Sequence, residues 1–64
     1  MIAVFEMGGN GKPVGVNSDY VIRVYQERDS DMTWLEICDG NQSNYRLAVA
    51  GDIDTVVAKL NGKL

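Results

Sequence analysis

YVIRVYQERDSDMTWLEICDGNQSNYRLAVA, Tyr20 to Ala50, is the stretch whose reading decides the fold. It is rich in β-branched and aromatic residues that alternate with polar ones, and polar clusters interrupt it at Arg28–Asp31 and Asp39–Gln42. That pattern predicts three antiparallel strands, Tyr20–Glu27, Met32–Cys38 and Ser43–Val49. Pairing Ile22 with Ile37 and Val24 with Leu35 closes the first hairpin over a four-residue loop. Pairing Leu35 with Leu47 and Ile37 with Tyr45 closes the second over a three-residue loop, where Gly40 or Asn41 can take a left-handed conformation. One face then carries Ile22, Val24, Leu35, Ile37, Tyr45, Leu47 and Val49, the expected core. A slip of one residue would drive Trp34 or Arg46 inward, so the register is well specified.

The opposite face is unusual. It holds Arg23, Glu36 and Arg46 in one cross-strand row and Tyr25, Trp34 and Ala48 in the next, with Val21, Phe5 and Met32 as flanking apolar candidates. Trp, Tyr and Arg are the residues enriched at binding hot spots. The expected interface is therefore Trp34, Tyr25, Arg23, Glu36, Arg46 and Val21. Two plainer readings stand beside it. Cross-strand pairs worth roughly 0.2–1 kcal/mol each can simply stabilise a solvated sheet. Alternatively the sheet curls into a small barrel, and the glycine-rich loop or the helix covers the aromatics.

Outward from the meander, Ile2–Glu6 (IAVFE) and Val14–Asn17 read as two short strands joined through Gly8-Gly9-Asn10-Gly11. Pro13, with no N–H to offer, suits a strand start or an edge. Facing Val4 with Val16 and Glu6 with Val14 places Ile2, Val4, Val14 and Val16 on the core side. Asn17-Ser18-Asp19 marks a kink into the next strand. At the other end the period changes: Ile53, Val56, Val57 and Leu60 form one helical stripe. Asp52 is placed to cap it, Asp54 and Lys59 suit its dipole, and Gly62 suits its end. A helix of about ten residues does not persist alone, so it must lie on the apolar face of the sheet.

The chain has 64 residues, one domain over 1–64, near the lower limit for independent folding. Such a chain buries only about 60% of its unfolded surface, and small domains usually add a disulfide, a metal or a partner subunit. Cys38 is the single cysteine and histidine is absent, so intrachain disulfides are excluded and zinc is poorly served. Self-association is the remaining staple. Six Lys and Arg against nine Asp and Glu leave a net charge of −3 with no basic stripe, which disfavours nucleic acid. No apolar run approaches a membrane span, and no signal peptide is expected, since the N-terminus enters strand pattern directly. A lone cysteine in such a chain points to the cytoplasm.

No chemical motif rises above the plain reading. Gly8 to Lys12 lacks the early glycine and the Ser or Thr of a phosphate loop, because Glu6 and Pro13 stand there. Asp29 with Asp31, and Asp52 with Asp54, lack the ligands of a calcium loop and read as turn and cap residues. Cys38 lies between Glu36 and Asp39, which would disfavour a thiolate, and reads as a small filler. Asn41-Gln42-Ser43 fits the glycosylation pattern but reads as a loop without a secretory signal. Triads and histidine acid–base schemes are excluded by composition. No enzyme activity and no cofactor are expected.

Gly11-Lys12 before Val14-Gly15-Val16-Asn17, then Asp19 and Val21, then Thr33 and Ile37 before Asp39-Gly40, and an alternating Tyr45–Val49 strand leading to the Ile53/Val56/Val57/Leu60 helix, form a pattern that resembles the small FlbD-like flagellar and swarming-motility proteins of bacteria. The departures are the enlarged first loop, Trp34 and the Gly-Asp entry to the helix. The resemblance implies a motility-associated accessory protein with no catalytic residues. The expected fold is α+β: an antiparallel meander of four to five short strands with one C-terminal helix on one face. The expected role is a self-associating interaction module. A motility accessory protein and a small-barrel nucleic-acid or ligand binder are the alternatives.

Overall fold

The computed structural model describes residues 1–40 and 44–63. The fold is α+β, with five antiparallel strands in two sheets and one C-terminal helix. Strands β1 (Ile2–Glu6) and β2 (Pro13–Asn17) form a hairpin, and a 3-10 turn (Ser18–Tyr20) leads from it. Strands β3 (Val21–Tyr25), β4 (Met32–Ile37) and β5 (Tyr45–Ala50) form the meander, in the order β3-β4-β5. Helix α1 (Ile53–Leu60) closes the chain. The tip of the β4–β5 connection, with the Asn41-Gln42-Ser43 pattern, lies outside the described residues, and Gly40 before it is left-handed at φ 87°.

The hairpin and the helix share the core side of the meander. Ala3, Phe5 and Val16 from the hairpin, Leu35, Ile37 and Val49 from the meander and Val56 from the helix make one buried cluster. Thr33 is buried among them, and its hydroxyl donates to the Gly51 carbonyl at 2.8 Å, which removes the penalty for an unpaired buried hydroxyl. The two sheets meet at one corner: Met7 bridges Val49, and the Gly8 amide donates to the Ala48 carbonyl at 2.8 Å.

Most of the predicted meander register is present: Val24 faces Leu35, Leu35 faces Leu47 and Ile37 faces Tyr45. Three expectations are corrected. First, a bulge between Val21 and Arg23 pairs Val21 with Ile37, so Val21 joins the core side and Ile22 is left 56% exposed. One extra residue is enough to invert the alternation beyond it. Second, β1 pairs Val4 with Gly15 and Phe5 with Val14, one residue from the expected register. Ala3 and Phe5 therefore point inward while Ile2 and Val4 are exposed. The expected register put Glu6 on the core side with Val4; the observed one turns Glu6 out and buries the larger aromatic. Third, Tyr45 shares the core face but is 51% exposed. It stands where the hairpin and the meander diverge, over a cleft of about 380 Å³ lined by Ile2, Val14, Tyr20, Ile37, Tyr45 and Leu47.

The helix begins at Asp52 as expected, but the Asp52 side chain makes no cap hydrogen bond. The first amide, Ile53 N–H, instead donates to Gln26 Oε1 at 3.1 Å, while Gln26 Nε2 donates to the Ser30 carbonyl. One side chain thus ties the β3–β4 loop to the start of the helix and satisfies an orphan donor there. At the far end Gly62 takes φ 74°. Lys59 reaches across to donate to the Val4 carbonyl at 2.8 Å, passing over the Phe5 ring.

Candidate functional site

Strand alternation on β4 buries Thr33, Leu35 and Ile37 and turns Met32, Trp34 and Glu36 to the opposite face, away from hairpin and helix. The register brings the two predicted rows together: Arg23 beside Glu36 beside Arg46, and Tyr25 beside Trp34 beside Ala48. Of the six predicted interface residues, five share this face. Val21 does not, because the bulge turns it to the core. Phe5, a flanking candidate, is only 3% exposed in the core, and Met32 does lie on the outer face.

The rows interlock through their cations. Arg23 Nη2 donates to Glu36 Oε2 at 2.8 Å, in an ion pair whose Glu36 side chain is only 17% exposed. Arg46 crosses to the aromatic row: its guanidinium carbon lies 5.1 Å from the Trp34 ring centre, and Nη1 donates to the Tyr25 hydroxyl at 3.1 Å. Such an exposed cation–π contact contributes about 0.5–1 kcal/mol. Both guanidiniums are held protonated beyond the ordinary arginine range, Arg23 mainly by its hydrogen bond to Glu36 and Arg46 mainly by its hydrogen bond to Tyr25. Trp34 and Tyr25 are consequently half-buried, under side chains of their own face.

The glycine-rich loop ends at the border of this face. Asn10 Oδ1 accepts from Lys12 N–H at 2.9 Å and Gly11 takes φ 71°, the geometry of a tight hairpin connection. Gly8 lies against the Met32 sulfur and Ala48. Sequence reasoning missed this role for Gly8, along with the Gln26 bridge and the burial of Thr33. A glycine preceding a turn signals a turn and leaves the close approach of another strand unmarked.

Among the described residues, no three His, Cys, Asp or Glu side chains gather where they could hold a metal ion, and no helix is long and apolar enough to cross a membrane. Cys38 is partly buried, its amide bonded to the Tyr20 carbonyl. The arrangement offers planar aromatic surface and fixed charge of both signs. No family model, curated protein or solved structure matches this chain.

Proposed function

We propose that this chain is a small, non-enzymatic protein-interaction module of the cytoplasm that associates with itself, as a dimer or larger, through the outer face of the meander. The observation that carries the reading is the adjacency of the Tyr25–Trp34–Ala48 and Arg23–Glu36–Arg46 rows on the side away from the core. Large, rigid aromatics and arginines are the groups that anchor interfaces. A chain of 64 residues also gains most from burying a second face, because binding the folded form stabilises it by mass action.

Light scattering of the purified protein is expected to give a dimer or larger at micromolar concentration. Trp34→Lys is expected to give a monomer with its far-ultraviolet circular dichroism retained. A wild-type monomer would overturn self-association and leave docking to another protein. Unfolding by Trp34→Lys would place the indole in the core and remove the face from consideration.

A second reading, the motility-associated accessory protein, draws support from the shared order of strand, turn glycine, strand and short helix. Deleting the gene from its host and scoring swarming tests it; unaltered swarming removes it.

A further inference from the structure

By side-chain size the outer face is a ridge beside a trough, and the Met32 side chain reaches across that trough, its sulfur beside Gly8. On this face β4 presents Met32, Trp34 and Glu36, and their register partners on β5 are Ala50, Ala48 and Arg46. Two large side chains thus stand opposite two alanines, and a carboxylate stands opposite a guanidinium. Resting on the reading that this face self-associates, we infer that two copies pack face to face about a two-fold axis parallel to the strands, running between β4 and β5. Such an axis lays β4 of one copy over β5 of the other. Trp34 of each protomer then meets the partner's Ala48, and Arg46 of each meets the partner's Glu36.

The charges fit that operator. Among the described residues Glu36 engages Arg23 through Oε2, and Oε1 is placed to accept from a second donor. Arg46 lies over Trp34 with Nη1 on the Tyr25 hydroxyl, exposed contacts that it exchanges for the partner's carboxylate as the indole is uncovered for the partner's Ala48. The competing axis, between β3 and β4, would set Tyr25 against the partner's Trp34, since those two are register partners. That places bulk on bulk with no trough to receive it. Met32, whose sulfur lies beside Gly8 and Ala48, has the rotatable bonds to move aside as the partner enters. Aligned sheets pack about 10 Å apart, a spacing that interdigitating Trp and Ala can fill.

Charge reversal tests the pairing. Arg46→Glu alone sets carboxylate against carboxylate across the axis twice, and Glu36→Arg alone sets guanidinium against guanidinium twice. Each variant is expected to lose self-association by about tenfold or more. In a one-to-one mixture, one chain carries a carboxylate at both positions and the other a guanidinium at both. Opposite charges then meet at both contacts, and native mass spectrometry is expected to show a heterodimer that outweighs both homodimers. Circular dichroism of each variant confirms the fold. If reversal beside the intrachain row unfolds either chain, Arg46→Gln and Glu36→Gln replace them. Each is expected to weaken the dimer, and the double variant is expected to weaken it no further than the singles. A wild-type dimer whose variants mix without recovery, or whose neutral variants lose affinity additively, overturns this axis while leaving the interaction face intact. A wild-type monomer overturns both.

Discussion

Gly8 sits where the end of β1 passes beside β5, and a Cβ there would fall 2.5 Å from the Met32 sulfur and 3.3 Å from Ala48 Cβ. The methionine can yield because it is flexible; the strand behind it cannot. Gly8→Ala is therefore expected to cost about 1 kcal/mol, and the β-branched Gly8→Val about 2–3 kcal/mol, both read from urea denaturation midpoints. A Cβ on Gly9, next in the chain, would meet none of the described residues within 4 Å, and Gly9→Ala is expected to stay within about 0.5 kcal/mol of wild type. Equal losses at both glycines would mean that the loop is sensitive for reasons of backbone conformation and not of contact. Neighbouring glycines that look alike in sequence thus have different physical roles, one holding two sheets close and the other filling a turn. Thr33 and Gln26 make the same point: their value lies in bonds to Gly51 and to Ile53, both distant in the chain.

At the scale of the strand, the bulge in β3 exchanges the environments of two adjacent aliphatic residues. Val21→Lys is expected to destabilise by about 2–3 kcal/mol, because it brings a charge toward Ile37 and the core. Ile22→Lys, at a site 56% exposed, is expected to cost no more than about 0.5 kcal/mol. A regular strand would reverse that order, so the pair of denaturation curves tests the bulge directly. The β4–β5 register was legible because a long alternation leaves only one way to keep Trp34 and Arg46 out and Leu35 in. The bulge was not legible, since it adjoins a 3-10 turn and a Cys38–Tyr20 hydrogen bond between residues far apart in the chain, neither of which local alternation marks. Nor was the phase of β1 legible. Within IAVFE, Ile2 with Val4 and Ala3 with Phe5 are both apolar pairs, and only the hairpin partner decides between them. The outer face was readable for the same reason as the register: Arg23, Tyr25, Trp34, Glu36 and Arg46 all lie beyond the bulge, where alternation is undisturbed.

For the whole molecule, the notable economy is how few bonds join hairpin to meander among the described residues. Besides the shared core, the Met7–Val49 bridge and the Gly8–Ala48 hydrogen bond connect them, while the reach of Lys59 to Val4 ties the hairpin to the helix. At the other end the two diverge around the cleft of about 380 Å³. Amide exchange is expected to show β1 and β2 opening together at a lower free energy than β4, the central strand of the meander. Uniform protection across all five strands would count against two separable units. The corner at Met7 and Gly8 then acts as a clasp on a two-leaved locket. A pull on Met1 loads first its own ties to Asn17 and Ser18 at the open edge of the hairpin, and the leaf bearing Phe5 comes away only after those give, leaving the meander's aromatic face, on the reverse of the other leaf, undisturbed.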